Sequence, residues 1–172
     1  MDQSIMKPSQ IKAYFINCFL LTLPILVWNM ALANQLPEPF QPATFGFNIP
    51  WIVSIGENIF RTIIFLLAAL MPLSIKSKTQ QWGIALYSVG TLLYFSSWLV
   101  LMYYPNSAWS HSHAGFFAPA YTPFLWLMGI GLIGERYYFE LHFRRWVFIA
   151  LSIIFLVFHN LHTLIIFNRI HH

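Results

Sequence analysis

Charge is scarce in this chain: 8% of its 172 residues are Asp, Glu, Lys or Arg, against about 25% in a soluble domain. With 58% hydrophobic residues, a soluble fold would leave large apolar patches against water. The composition therefore points to a membrane. Acids are scarcer still, five against nine Lys and Arg, so the net charge of +4 reflects few acids rather than many bases. There is no basic run, which argues against nucleic acid as a partner. The single cysteine, Cys18, excludes an internal disulfide and any CxxC redox pair. Short alternating strands of the kind a membrane barrel needs are absent, as are an internal repeat and a stretch that reads as a soluble domain. No G-x-S-x-G nucleophile motif occurs.

What is present is long apolar runs and aromatic residues, the latter 19% of the chain. A bilayer-crossing helix needs about 20 mostly apolar residues. Five stretches qualify, about 12–33, 50–73, 82–104, 120–139 and 146–168. Backbone polar groups in hydrocarbon must bond internally, so each is expected to be a helix. The expected fold is an all-α bundle of five transmembrane helices, a single membrane domain over 1–172. Lys and Arg in the loops set its orientation. Lys7, Lys12, Lys76, Lys78, Arg136, Arg144 and Arg145 fall on one side, and loops 34–49 and 105–119 carry neither residue type. That alternation puts the N-terminus in the cytoplasm and the C-terminus outside it, in a plasma membrane read as a bacterial inner membrane. The first run, followed by Ala31 and Ala33, also resembles a signal peptide. Its apolar length exceeds the usual 7–15 residues, so it is read as a retained helix; cleavage would leave four spans in the same orientation.

Within the second span, Ser54, Glu57, Asn58 and Arg61 have the i, i+3, i+4, i+7 spacing of one helix face. Phe65, Ala68 and Ala69 continue it, small residues that permit close helix approach. The stripe is thus expected to face protein. Glu57 precedes Arg61 by four, the better order for a pair. At 1.5 Å rise per residue, Glu57 lies about 10 Å and Arg61 about 16 Å below the end at Pro50. Measured from Asn168, His162 lies about 9 Å and His159 about 13 Å down. Tyr94, Ser97 and Trp98 share a face of span three at a similar level. The expectation is that these residues converge on one cavity in the extracytoplasmic half. The alternative is a set of polar contacts that only fix helix register, each worth about 0.6 kcal/mol. Intramembrane ionisable residues favour a functional site.

In such a site Glu57 and His159 form the acid/base pair. Asn58 and His162 orient them, Arg61 binds an anionic group or holds Glu57 charged, and Tyr94, Ser97, Trp98 and Trp109 line the pocket. The reading is a membrane protein that handles a lipid-like or amphipathic molecule, with membrane lipids as its surroundings. Whether it is an enzyme stays open. A binding or transport component without chemistry, or a structural subunit with a membrane-protein partner, are the alternatives. A metal is a weaker alternative: His111, His113, His159, His162 and Glu57 are chemically suitable ligands, but in an extended loop His111 and His113 point apart. Haem is weaker again, since the deep histidines sit on one span and His142 lies towards the opposite face. "GIGLIG" at Gly129–Gly134 matches G-x-G-x-x-G but lacks the required strand, so its glycines are read as packing residues. Arg136, Glu140 and Arg144 read as paired charges at a cytoplasmic helix end.

Overall fold

The computed structural model describes residues 15–138 and 145–171. Lys7, Lys12, Glu140, His142 and Arg144 lie outside them. Among the described residues the chain is helical without a strand, apart from one isolated bridge between Asn17 and Pro72. Four helical segments are long and apolar enough to cross a membrane, as expected of an integral membrane protein. They are α1 (Cys18–Gln35), α2 (Trp51–Leu70), α3 (Lys78–Tyr103) and α5 (Arg145–Ile170). Between the last two lies α4 (Ala118–Ile133), apolar but shorter than a full span. It occupies the stretch expected to be the fourth of five spans, and breaks at Gly134, whose backbone is extended.

The helix starts and stops follow local chemistry. Ser77 caps α3 by accepting from Gln80 N, and the Gln80 side chain returns a bond to the Ser77 backbone, a capping box. Pro119 and Pro123 sit in the first turns of the two helical pieces of α4, where a missing N–H does no harm.

The short α4 is the most enclosed element, packed between α3 and α5, with Trp126, Leu127, Ile130 and Ile133 buried. Its approach to α3 depends on glycine. A Cβ on Gly129 would stand 2.5 Å from the Tyr87 nitrogen and 2.7 Å from the Gly83 carbonyl oxygen. Gly129 and Gly131 of "GIGLIG" thus serve helix contact, as small residues do in membranes, while Gly134 ends the helix. On the other side α2 lies along α5. The start of α1 is tied to the end of α2 through Cys18 N–H to Met71 O, 2.8 Å. Further along, the Tyr87 hydroxyl donates to the Leu21 carbonyl at 2.8 Å, holding α1 against α3.

The proline-rich loop 34–49 is not the stiff extended crossing that its composition suggests. It turns at Glu38–Phe40 and again in a one-turn helix, Pro42–Phe45, and folds over the bundle. Arg169 of α5 fixes its far end by donating to the carbonyls of Phe47 and Asn48 at 2.8 and 3.2 Å. The second long loop likewise contains two one-turn helices, Ala108–His111 and His113–Phe116, capped by Ser107 and Ser112.

Candidate functional site

On α2 the buried positions are Val53, Glu57, Ile64 and Ala68, a seam at helical spacing centred on Glu57. Successive residues on a helix do not face the same way, so Asn58 cannot share that centre. It is exposed and acts only as a weak acceptor for Arg61 Nη1, at 3.4 Å. Ser54 is half-buried at the margin. The stripe is therefore narrower than expected, with Glu57 inside and Asn58 outside.

Glu57 is 4% exposed and its two oxygens are fully engaged. Oε1 accepts from Arg61 Nη2 and lies 3.0 Å from His159 Nδ1. Oε2 lies 2.7 Å from His162 Nδ1. One carboxylate thus joins α2 to two successive turns of α5. The far nitrogen of His162, Nε2, lies 2.8 Å from the Phe45 carbonyl oxygen of the loop, and the Phe45 ring stacks on the imidazole at 4.2 Å. Aromatic contacts fix the other partners: Phe155 stacks on His159 and carries the Arg61 guanidinium over its face, 5.6 Å from the centroid.

These contacts set the minimum number of protons. The Phe45 carbonyl can only accept, so His162 Nε2 carries a hydrogen. A second proton must lie between His162 Nδ1 and Glu57 Oε2, and a third between His159 Nδ1 and Oε1. A carboxylate and two neutral imidazoles bring two. The trio holds at least one more, and with no proton on His159 Nε2 it is neutral as a whole. The minimal inventory leaves His159 as the Nδ1–H tautomer, with a lone pair on Nε2.

His159, Arg61 and Tyr94 line a cavity of about 210 Å³ with Asn29, and its remaining wall is Ile25, Leu26, Ile64, Phe65, Pro119, Pro123, Leu127 and Phe155. Asn29 Oδ1 accepts from the Tyr94 hydroxyl at 2.7 Å. A second cavity of about 150 Å³ shares Asn29, Tyr94, Pro119 and His159 and extends under the loop, between Leu36, Phe40, Phe45, Trp98 and Phe116. The buried Trp98 indole N–H finds no acceptor among the described residues. Replacing Tyr94 with Phe would strand Asn29 Oδ1. We expect a loss of about 0.5–1.5 kcal/mol, read as a drop of a few degrees in thermal midpoint in detergent; an unchanged midpoint would place the hydroxyl elsewhere.

Of the residues singled out from the sequence, Glu57, Arg61, His159, His162, Tyr94 and Trp98 are brought to this one region. Ser97 and Trp109 are not. Ser97 bonds back to its own helix, to the Tyr94 carbonyl at 2.6 Å, and with Trp109 lines a separate groove beside Leu93, Tyr121 and Thr122. His113 lies in an aromatic cluster, 4.2 Å from the Phe167 ring, and His111 is exposed. Among the described residues no three His, Cys, Asp or Glu side chains are arranged to hold a metal ion. Both imidazoles commit Nδ1 to Glu57, and His162 commits Nε2 as well, so that ring offers no free nitrogen to a metal or haem iron. Two participants escaped sequence reasoning. Asn29 was detectable as an amide in an apolar run; the Phe45 carbonyl, a backbone atom, left no signal.

No protein-family model, no curated protein and no solved structure matches the chain.

Proposed function

We propose that the cavity between α1, α2, α3, α4 and α5 receives the polar head of a lipid-like or amphipathic molecule, in the extracytoplasmic half of a bacterial plasma membrane. One observation carries this reading: four polar side chains from four helices, Asn29, Arg61, Tyr94 and His159, meet on an otherwise apolar wall. A few convergent polar groups in an apolar pocket are the usual form of a small-molecule site. A set of contacts serving only to fix register would not need space beside them.

His159 is the acid/base group of the proposal. Its Nε2 lone pair takes a proton from an O–H of the bound head: the O–H bond breaks, an N–H bond forms, and the imidazolium is held at Nδ1 by Glu57. The reverse step returns the proton. His162 and the Phe45 carbonyl keep Glu57 oriented, so they act as positioning groups. Whether the proton transfer leads to turnover or accompanies binding alone is decided by assay with a candidate substrate.

The experiment is photolabelling in neutral detergent with a long-chain alcohol carrying a diazirine near its hydroxyl. Labels on the segments holding Asn29, Arg61 and His159, competed by excess dodecanol, are the expected result. Labels confined to outward-facing residues such as Leu66, Leu92 and Val157, all more than half exposed, would overturn it.

A further inference from the structure

We infer that the head group taken by this cavity is a phosphate monoester monoanion on an apolar chain. The inference rests on the reading of the cavity as an amphiphile site and adds the ligand's charge and chemistry.

Charge comes first. With no proton on His159 Nε2, the three protons that the hydrogen bonds require make the Glu57, His159 and His162 trio neutral, wherever the shared ones sit. Arg61 adds one positive charge. The remaining described acids do not offset it. Glu38 is exposed on the loop, and Glu135 bonds to Ser77 at 2.6 Å. Ser77 caps the far end of α3, about 25 Å along the helix from Tyr94 at 1.5 Å per residue. The cluster is therefore left at +1 on Arg61, whose side chain is 40% exposed, within a membrane-spanning helix, where an uncompensated charge is unfavourable. A ligand carrying one negative charge brings it to neutrality.

Hydrogen-bonding capacity narrows the head further. Arg61 has five N–H groups; one is given to Glu57 and one to Asn58, which leaves three as donors. Asn29 Oδ1 is taken by Tyr94, so its amide N–H₂ remains a donor on the cavity wall. His159 presents an acceptor, Nε2. A matching head must carry oxygens that accept from Arg61 and Asn29 and also an O–H that donates to His159. A singly ionised phosphate monoester has both, and Arg61 suits it as a bidentate partner. A carboxylate has the charge but no O–H. An alcohol has the O–H but no charge. The same chemistry belongs to free dihydrogen phosphate, which lacks only the chain that the apolar walls would cover.

The test compares four probes against the full-length protein in neutral detergent near pH 6: dodecyl phosphate, dodecanoate, dodecanol and inorganic phosphate. Binding is read from the concentration dependence of the thermal midpoint. Dodecyl phosphate should bind at least tenfold more tightly than either other dodecyl compound. In Arg61→Gln its affinity should fall about tenfold or more, as for one lost charge-assisted bond, while dodecanol changes less than twofold; Arg61→Lys, which keeps the charge, should retain part of the preference. Inorganic phosphate binding as tightly as dodecyl phosphate supports the phosphate chemistry and assigns it to the free ion. Dodecanoate within twofold of dodecyl phosphate overturns the phosphate assignment. Dodecanol matching both overturns the charge inference but leaves the amphiphile site standing. Failure of all three dodecyl probes, with no photolabel in the cavity, removes the site itself. The wild-type comparison decides the inference even if Arg61→Gln does not fold.

Discussion

Replacing Glu57 with Ala should lower the thermal midpoint of the detergent-solubilised protein by on the order of 10 °C. The substitution removes the acceptor of three side chains at once, Arg61, His159 and His162. Taking away one member of a buried charged network is worth about 3–5 kcal/mol; here His162 stays buried without its acceptor, while Arg61 and His159 are partly exposed, which puts the loss towards the lower end. For a chain of 150–250 residues each kcal/mol moves the midpoint by about 2–4 °C. Glu57→Gln keeps the shape and one acceptor oxygen for Arg61 and His159, while its amide N–H₂ can donate to the lone pair of a neutral His162 Nδ1, so its shift should be smaller, about half. A drop under 2 °C in Glu57→Ala would mean that the three partners find other acceptors and that the carboxylate does not bind α2 to α5.

The second large effect is expected at the contact between α3 and α4. Gly129→Ala adds one methyl group, yet its Cβ would fall 2.5 Å from a backbone nitrogen and 2.7 Å from a backbone oxygen of α3. Neither atom belongs to a flexible side chain. The helices must separate along their whole contact, and overpacking of this kind costs about 1–3 kcal/mol and occasionally more. The expected midpoint drop is about 5–10 °C, from the same scaling. Because α4 supplies Pro119, Pro123 and Leu127 to the cavity wall, photolabelling there should weaken too. Gly46→Ala, where the nearest atom is 3.4 Å away, is the control and should fall within 2 °C of wild type. Equal behaviour of the two variants would show that α3 and α4 are not packed backbone to backbone.

Parts of this arrangement were legible in the sequence for a clear reason. Charges and imidazoles in apolar helices are costly, so Glu57, Arg61, His159 and His162 stand out and their spacing assigns a face. Counting residues from Pro50 and Asn168 put them at one depth, and the structure indeed joins them through a single carboxylate. Asn58 misled because i, i+4 spacing with Ser54 suggested a shared face, while its position next to Glu57 turns it about 100° away. Ser97 and Trp109 misled because depth in the membrane says nothing about direction around the bundle. The short α4 was read as a full span since apolar character continues towards Gly134, but the helix stops where that extended glycine breaks it. The loop 34–49 could not be read at all. Its prolines forecast stiffness, whereas its course is set by a carbonyl at Phe45 and by Arg169, contacts more than 100 residues apart in sequence.

The claim on which the rest depends is that the polar face of α2 and the polar face of α5 meet at Glu57. A double-mutant cycle tests it most directly, with Glu57→Ala and His162→Leu made singly and together and stability measured in one detergent. Side chains in direct contact couple by about 0.5–3 kcal/mol. With two charge-assisted groups 2.7 Å apart, a coupling of about 1 kcal/mol or more is expected. Additivity to within about 0.3 kcal/mol, the behaviour of residues that do not touch, would contradict it.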